Sequence, residues 1–289
     1  MSPGPEPDRF LSGRVGHVGP RRMRAMRAAD LALDTVLRLR GVPARLDRLA
    51  AAVPSRSVLA ACVYRPNSPR ADLLPAGLGS ARHDVELAFG SMGEPRPALA
   101  KLTLLDGLGG GKFENLNLLL AAARRAPAEV DWLLSVDDDV LLPPRFLDRM
   151  IGVCERLGFA LAQPAQTLAS HAAWPVTRRR PLSIARRTPF VEIGPVTLFR
   201  ADAVRELTPF PALRYGWGLD LHWAALAGER GWPLGVVDAL PVRHDARAIA
   251  GAYRFEDAVA EARGFLAELP FLPSAAAHRS IASYRRLAP

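Results

Sequence analysis

The stretch Trp132-Leu133-Leu134-Ser135-Val136-Asp137-Asp138-Asp139-Val140 constrains this chain more than any other, because an apolar run of strand length ends in three consecutive carboxylates. Such a run suits a strand buried on both faces of an α/β sheet, and in these sheets ligands collect outside the carboxyl ends of the strands. Three like charges within one turn repel one another. An oxygen-seeking divalent cation, Mg2+ or Mn2+, is the usual remedy, so the stretch points to a site for a metal and a diphosphate. An Asp-rich turn that only punctuates the chain in solvent fits the same residues.

Short strands and helices alternate on both sides of it. Strands are expected at residues 57–64, 85–89 and 102–105; Gly107 to Lys112 then opens a helix over 113–125 that leads into the aspartate strand. Pro143 and Pro144 begin a helix reaching about Leu157, and residues 159–163 return as a strand. This is the pattern of a layered α/β domain with a mixed sheet flanked by helices, placed at residues 54–248. Residues 1–53 form an N-terminal appendage. Its first twenty residues lack order, and a helical spacing follows (Leu31, Val36, Leu39, then Leu46, Leu49) with a break at Pro43. Residues 249–289 form a helical C-terminal extension. The glycine run is no phosphate loop, because Asp106 stands where the first Gly is required and Phe113 where Ser or Thr is. The dinucleotide pattern fails too, leaving a flexible turn between strand and helix.

With 289 residues and 49% hydrophobic content the chain can bury a full core. Its apolar runs fall short of the ~20 residues that span a bilayer. The Pro-, Gly- and Arg-rich start lacks the apolar core of a secretory signal, so a cytoplasmic protein is expected. Cys62 and Cys154 read as small buried hydrophobes. The net charge of +9 is almost wholly arginine, since Lys101 and Lys112 are the only lysines. The arginines cluster at 21–27, 178–187 and 285–286, which suits phosphates or the inner face of a membrane, contacted peripherally through the basic ends. No recognition motif or interleaved aromatics accompany them, and nucleic acid is not an expected partner.

Three further segments carry acids or ligands: Phe190 to Phe199 as a strand with a polar insertion containing Glu192, Gly216-Trp217-Gly218-Leu219-Asp220 at a helix start, and Val242-Arg243-His244-Asp245 at a strand end. Asp220 at a helix start can be a general base or a simple cap. Neutral imidazole at His244 can complete a metal site begun by Asp139, or be structural.

With these segments the chain resembles the nucleotide-sugar-dependent glycosyltransferases of the GT-A fold. The resemblance rests on a first nucleotide-binding strand, Gly111-Lys112-Phe113-Glu114-Asn115-Leu116-Asn117, Asp137-x-Asp139, an acid at a helix start and a late His. More closely it resembles a glycosyltransferase-like domain-of-unknown-function family of plants and bacteria. That likeness is carried by Gly158 to Ala165, Ser170-His171, Phe190-Val191-Glu192 with Pro195-Val196, Gly216 to Asp220, and Val236-Val237-Asp238 with His244. The resemblance implies Mn2+ or Mg2+ held by Asp139, His244 and Asp137, and a nucleotide-sugar donor met by Asp137, Asp138, Tyr64, Arg65, Lys112 and Asn115. It further implies Asp220 as base toward a glycan, lipid-linked or small-molecule acceptor. Glu192, Trp217, Gly218 and Arg187 would contact acceptor or phosphate, with Arg178 to Arg187 clamping phosphate as a mobile loop closes. The acidic turn that usually reads uracil is replaced by Phe89-Gly90-Ser91-Met92, and the first strand ends in Tyr64-Arg65-Pro66-Asn67, which leaves the donor base open.

Two other readings compete. An apolar strand followed by Asp-x-Asp also matches haloacid-dehalogenase-like phosphohydrolases, with Asp137 as nucleophile and Asp139 as acid and base; that fold wants a lysine downstream, and both lysines lie upstream. The other is a transferase-like domain that binds a glycan or nucleotide without turnover.

Overall fold

The computed structural model describes residues 4–11, 19–170, 172–244 and 254–287. His171 and Asp245, both part of the motifs above, lie outside the described residues. The strands are β1 (Ser57–Tyr64), β2 (Asp84–Ser91), β3 (Thr103–Leu105), β4 (Trp132–Val136), β5 (Leu161–Gln166), β6 (Ala185–Thr188), β7 (Val196–Arg200), β8 (Leu234–Val242) and β9 (Ala282–Tyr284). The helices are α1 (Pro20–Leu39), α2 (Val42–Ala52), α3 (Leu74–Leu78), α4 (Lys112–Ala122), α5 (Phe146–Leu157), α6 (Ala201–Leu207), α7 (Leu219–Arg230), α8 (Phe255–Leu266) and α9 (Ser274–Ala277).

The strands form one mixed sheet in the order β3-β2-β1-β4-β7-β5-β8-β6-β9. β1, β2, β3 and β4 run parallel, and β7 enters antiparallel between β4 and β5. β1 and β4 are almost wholly apolar because both of their faces are covered. In β1, Val58, Ala60, Cys62 and Tyr64 face one core layer with α2, α3 and α5, while Leu59 and Ala61 face the other with α4, α6 and α7. α2 belongs to the first layer. Leu46 and Leu49 are buried there, and α2 passes α5 so closely that a Cβ on Gly152 would stand 2.8 Å from the Ala50 nitrogen.

Several local readings differ from what is found. The helix expected at Pro143 starts at Phe146, because Arg145 takes a left-handed φ of 55°. Only Val196–Arg200 of the expected 190–199 strand pairs in the sheet; residues 190–195 form a loop with a cis Gly194-Pro195 bond. Residues 7–9, expected to lack order, form a 3-10 turn, and Phe10 is buried against the α4–α7 layer. The C-terminal segment contributes β9 to the sheet as well as helices. Among the described residues no helix is long and apolar enough to cross a membrane.

The topology matters for one edge. The carboxyl ends of β1, β2, β4, β5 and β8 and the start of β7 meet there, so loops distant in sequence converge on Asp137 to Asp139.

Candidate active site

Each of the three aspartates has a cationic partner from elsewhere in the chain. Asp137 Oδ1 is 2.7 Å from Lys112 Nζ, at the start of α4. Asp138 accepts the Arg65 backbone N–H at 2.9 Å just past β1, with the Arg65 guanidinium 3.9 Å away. Asp139 Oδ1 faces His244 Nε2 at 3.1 Å just past β8. The mutual repulsion read from the sequence is thus relieved from within. Burial works against a charged His244, but its hydrogen bond to Asp139 and the negative charges of Asp139, Asp137 and Glu192 outweigh it and raise its pKa above the ordinary value. Arg70 Nη1 donates to the backbone carbonyls of Asp139 (2.8 Å) and Arg243 (3.1 Å), tying the aspartate turn to the His244 segment.

The register of β4 against β7 builds the opposite wall. Val136 pairs with Val196, so Asp137 N–H donates to the Pro195 carbonyl at 2.8 Å and the 190–195 loop lies across the mouth. Lys112 Nζ donates to the Ile193 carbonyl at 2.8 Å. Gly194 lets the loop come this close, since a Cβ there would stand 2.9 Å from Lys112 Nζ and 3.0 Å from Asp137 Oδ2 and would displace the pair. A shallow hollow beside this pair is lined by Ala61, Val63, Lys112, Leu116, Ser135, Val136 and Asp137.

Two carboxyls meet there, Asp220 behind that wall and Glu192 within it. Asp220, second residue of α7, is 5% exposed. Burial raises its pKa from 3.8 to about 7, although the backbone N–H groups of Leu221 and Ile193 and the charge of Lys112 pull the other way. It does not cap α7: Gly218 holds the N-cap, and Asp220 accepts from Leu221 and Ile193, joining the helix to the loop. Glu192 is half-buried. Burial first, then the Asp220 charge, raises its pKa to about 8 against the pull of its hydrogen bond from Thr177. Gln166 Nε2 and Thr177 Oγ1 donate to Glu192 Oε2 at 2.8 and 3.1 Å.

Sequence reasoning did not single out Gln163, Gln166 or Thr177, all fully buried. Strand alternation would put Gln163 and Gln166 on opposite faces, but a register shift between Pro164 and Gln166 brings both to Glu192. Among the described residues Gln163 Nε2 and Gln166 Oε1 have no hydrogen-bond partner. The Gln-Pro dipeptide was the only hint.

Asp137, Asp138, Asp139, Arg65, Lys112, Glu192, Asp220 and His244 therefore gather at one edge. Tyr64 and Asn115 do not face the cleft. Tyr64 is buried, its hydroxyl on Thr103 Oγ1 at 2.8 Å, and Asn115 braces the glycine loop through Gly110 N and O. Trp217 packs edge-on against Phe255, and Gly218 takes a φ of 85° against Leu266. Arg187 pairs with Gly235 near the start of β8, whereas His244 follows that strand's end. The expected phosphate-clamping loop is corrected too. Arg179 is ion-paired with Asp30 and Asp34, Arg178 Nη1 donates to the Leu168 carbonyl, and Arg186 is fully buried against Asp238. Among the described residues no three His, Cys, Asp or Glu side chains cluster as a ready metal site; Asp139 and His244 form a pair, with Asp137 held by Lys112.

No protein-family model matches this sequence and no curated protein matches it, so the likeness to a particular domain-of-unknown-function family finds no support. Two solved structures are similar in fold. GalNAc-T7 bound to UDP, GalNAc and Mn2+ superposes with a TM-score of 0.49 at 11% identity, over 86% of this chain and 56% of that one. The mannosyltransferase PcManGT from Pyrobaculum calidifontis, with GDP-Man and Mn2+, superposes with a TM-score of 0.46 at 16% identity, over 75% of this chain and 67% of that one. This chain spans little more than half the length of the first. Likeness at this level carries no argument about donor, acceptor or metal.

Proposed function

We propose that this chain is a glycosyltransferase of the GT-A type, moving a sugar from a nucleotide-sugar donor to an acceptor hydroxyl with a divalent cation against the donor diphosphate. One observation carries the reading: a cation-rich acidic mouth (Asp137 to Asp139, Lys112, His244) lies against the 190–195 loop, which carries Glu192 and is bonded to Asp220, two carboxyls of raised pKa. Perturbed carboxyls beside a charged mouth are what phosphate-leaving-group chemistry with a general base requires.

The residues fit a metal. Asp139 and His244, a carboxylate oxygen and an imidazole nitrogen 3.1 Å apart, would hold the ion once His244 gives up the proton it shares with Asp139. A carboxylate with an imidazole suits Mn2+ better than Mg2+, which prefers oxygen throughout. Bound there, the ion would neutralise charge on the departing diphosphate. Lys112, salt-bridged to Asp137 at the same mouth, is the chain's own counter-charge for a phosphate oxygen. Asp220 accepts the acceptor's proton. Burial raises the pKa of Asp220 to about 7, which strengthens it as a base, and Glu192, raised by burial and by the Asp220 charge, titrates together with it as a coupled pair.

The test is thermal unfolding of the full chain with a panel of nucleotide sugars, with and without Mn2+, followed by transfer assays with any donor that protects. At least one donor is expected to raise Tm in a Mn2+-dependent way. Protection by none, with or without the metal, would sink the proposal.

A second reading has one observation in its favour. Lys112, though upstream in sequence, stands against Asp137 as a phosphohydrolase of the haloacid-dehalogenase type would want. It predicts an aspartyl-phosphate on Asp137 from simple phosphate esters, and it leaves Asp220 and Glu192 without a task.

A further inference from the structure

We propose that Asp30, on the N-terminal helix α1, is a positioning residue for His244, acting through the turn 167–170; the proposal rests on the reading of His244 given above. Among the twenty residues of α1 only Asp30 and Leu37 are buried, so the helix docks through a carboxylate as much as through apolar surface. That is a costly way to attach a helix, and one whose return is fixed geometry rather than stability.

The connections run without a gap. Asp30 Oδ1 accepts the Leu168 N–H at 3.0 Å and Oδ2 the Ala169 N–H at 3.1 Å, so one carboxylate holds two successive backbone donors of the turn. Arg179 Nη1 lies 3.2 Å from Asp30 Oδ1 and its Nη2 2.8 Å from Asp34, which compensates the buried charge. The next residue, Ser170, is fixed by its N–H to the Thr167 carbonyl at 3.0 Å and by a 2.7 Å hydroxyl contact with Thr167. Ser170 Oγ then accepts the His244 backbone N–H at 2.9 Å, and Thr167 N–H donates to the Val242 carbonyl at 3.0 Å. The backbone that presents the His244 ring to Asp139 is therefore held on the side of the aspartate turn by Arg70 and by the antiparallel bridge of Arg243 to Leu141, and on the other side by α1 through Asp30. Leu37, the buried apolar residue of α1, packs elsewhere, into the α2–α5 layer.

The test compares Asp30→Ala with Leu37→Ala in the full chain. Hydrogen exchange at the Leu168, Ala169 and His244 amides reads the clamp directly, and electron paramagnetic resonance titration with Mn2+ alone reads the site without turnover. Asp30→Ala is expected to speed exchange at these amides and to weaken Mn2+ binding by about tenfold each, the usual scale for a group that supports a metal ligand. Leu37→Ala should lower Tm and move neither. Asp30→Asn, which keeps one acceptor oxygen and the side-chain shape, should fall between parent and Asp30→Ala and serves if the alanine variant does not fold. Parental exchange at His244 in both Asp30 variants, or an equal effect from Leu37→Ala, would overturn the proposal. A parent that binds no Mn2+ refutes the metal reading instead, and the exchange measurement alone then decides the clamp.

Discussion

Replacing Asp220 with Asn removes a charge from a place that resists it, and the size of the effect follows from the structure. The carboxyl is 5% exposed and titrates at about 7 instead of 3.8. Because the folded state holds this proton more tightly than the unfolded state, the stabilising contribution is complete below about pH 4 and is lost as pH rises through about 7. The charging penalty in the parent is then about 2 kcal/mol near pH 5 and about 4 kcal/mol near pH 8. Asn carries no such penalty, but its amide must replace one carboxylate oxygen that faces the Leu221 or Ile193 N–H, a mismatch of about 1–3 kcal/mol at every pH. Asp220→Asn should therefore be about 1–3 kcal/mol more stable than the parent near pH 8 and close to it near pH 5. Urea unfolding at the two pH values reads this directly, and the change between them is independent of the mismatch. A stability difference that is the same at both pH values would refute the buried-acid reasoning. Once a donor is known, the variant should bind it normally and lose transfer by on the order of 10² to 10⁴, the worth of a general base.

Three further outcomes are expected. Asp139→Asn should abolish Mn2+ binding by calorimetry while keeping the circular dichroism of the parent, and unchanged affinity would remove the metal from the mechanism. Arg186→Met leaves Asp238 buried without its bidentate partner, which should cost about 3–5 kcal/mol in urea unfolding, with much of it recovered when Asp238→Leu is added; no recovery would show that the loss lies in packing. Gly235→Ala drives a Cβ to 2.2 Å from the Phe159 ring, and a cost of about 1–3 kcal/mol is expected from overpacking, so a parental Tm would contradict that close approach.

What could be read from the sequence was what local pattern decides. β1 and β4 were legible because strands buried on both faces are almost wholly apolar, and Asp137 to Asp139 because they end such a strand. Pairings distant in sequence were not legible. The arginines at 178–186 look like a phosphate surface until Asp30, Asp34 and Asp238 are seen opposite them, and those partners lie on α1 and β8. The same distance hid the relief of Asp137 by Lys112 and of Asp138 by Arg65, whereas the meeting of His244 with Asp139 was expected from the sequence. Residues 190–195 kept the composition of a strand yet left the sheet, because Glu192 and Ile193 are bonded to Gln163, Gln166 and Asp220 instead of to a neighbouring strand.

One pairing register ties the two halves of the site together. With Val136 opposite Val196, the Asp137 N–H meets the Pro195 carbonyl, which puts Gly194 over the Lys112–Asp137 pair and leaves Ile193 N–H for Asp220. A slip of one residue between β4 and β7 would move every β7 side chain to the opposite core layer. It would also break both of these links at once. The acidic mouth and the buried base are therefore set by a single antiparallel contact in an otherwise parallel half-sheet, and β7, read from sequence as the end of one long strand, is the element on which the relative placement of Asp137 and Asp220 depends.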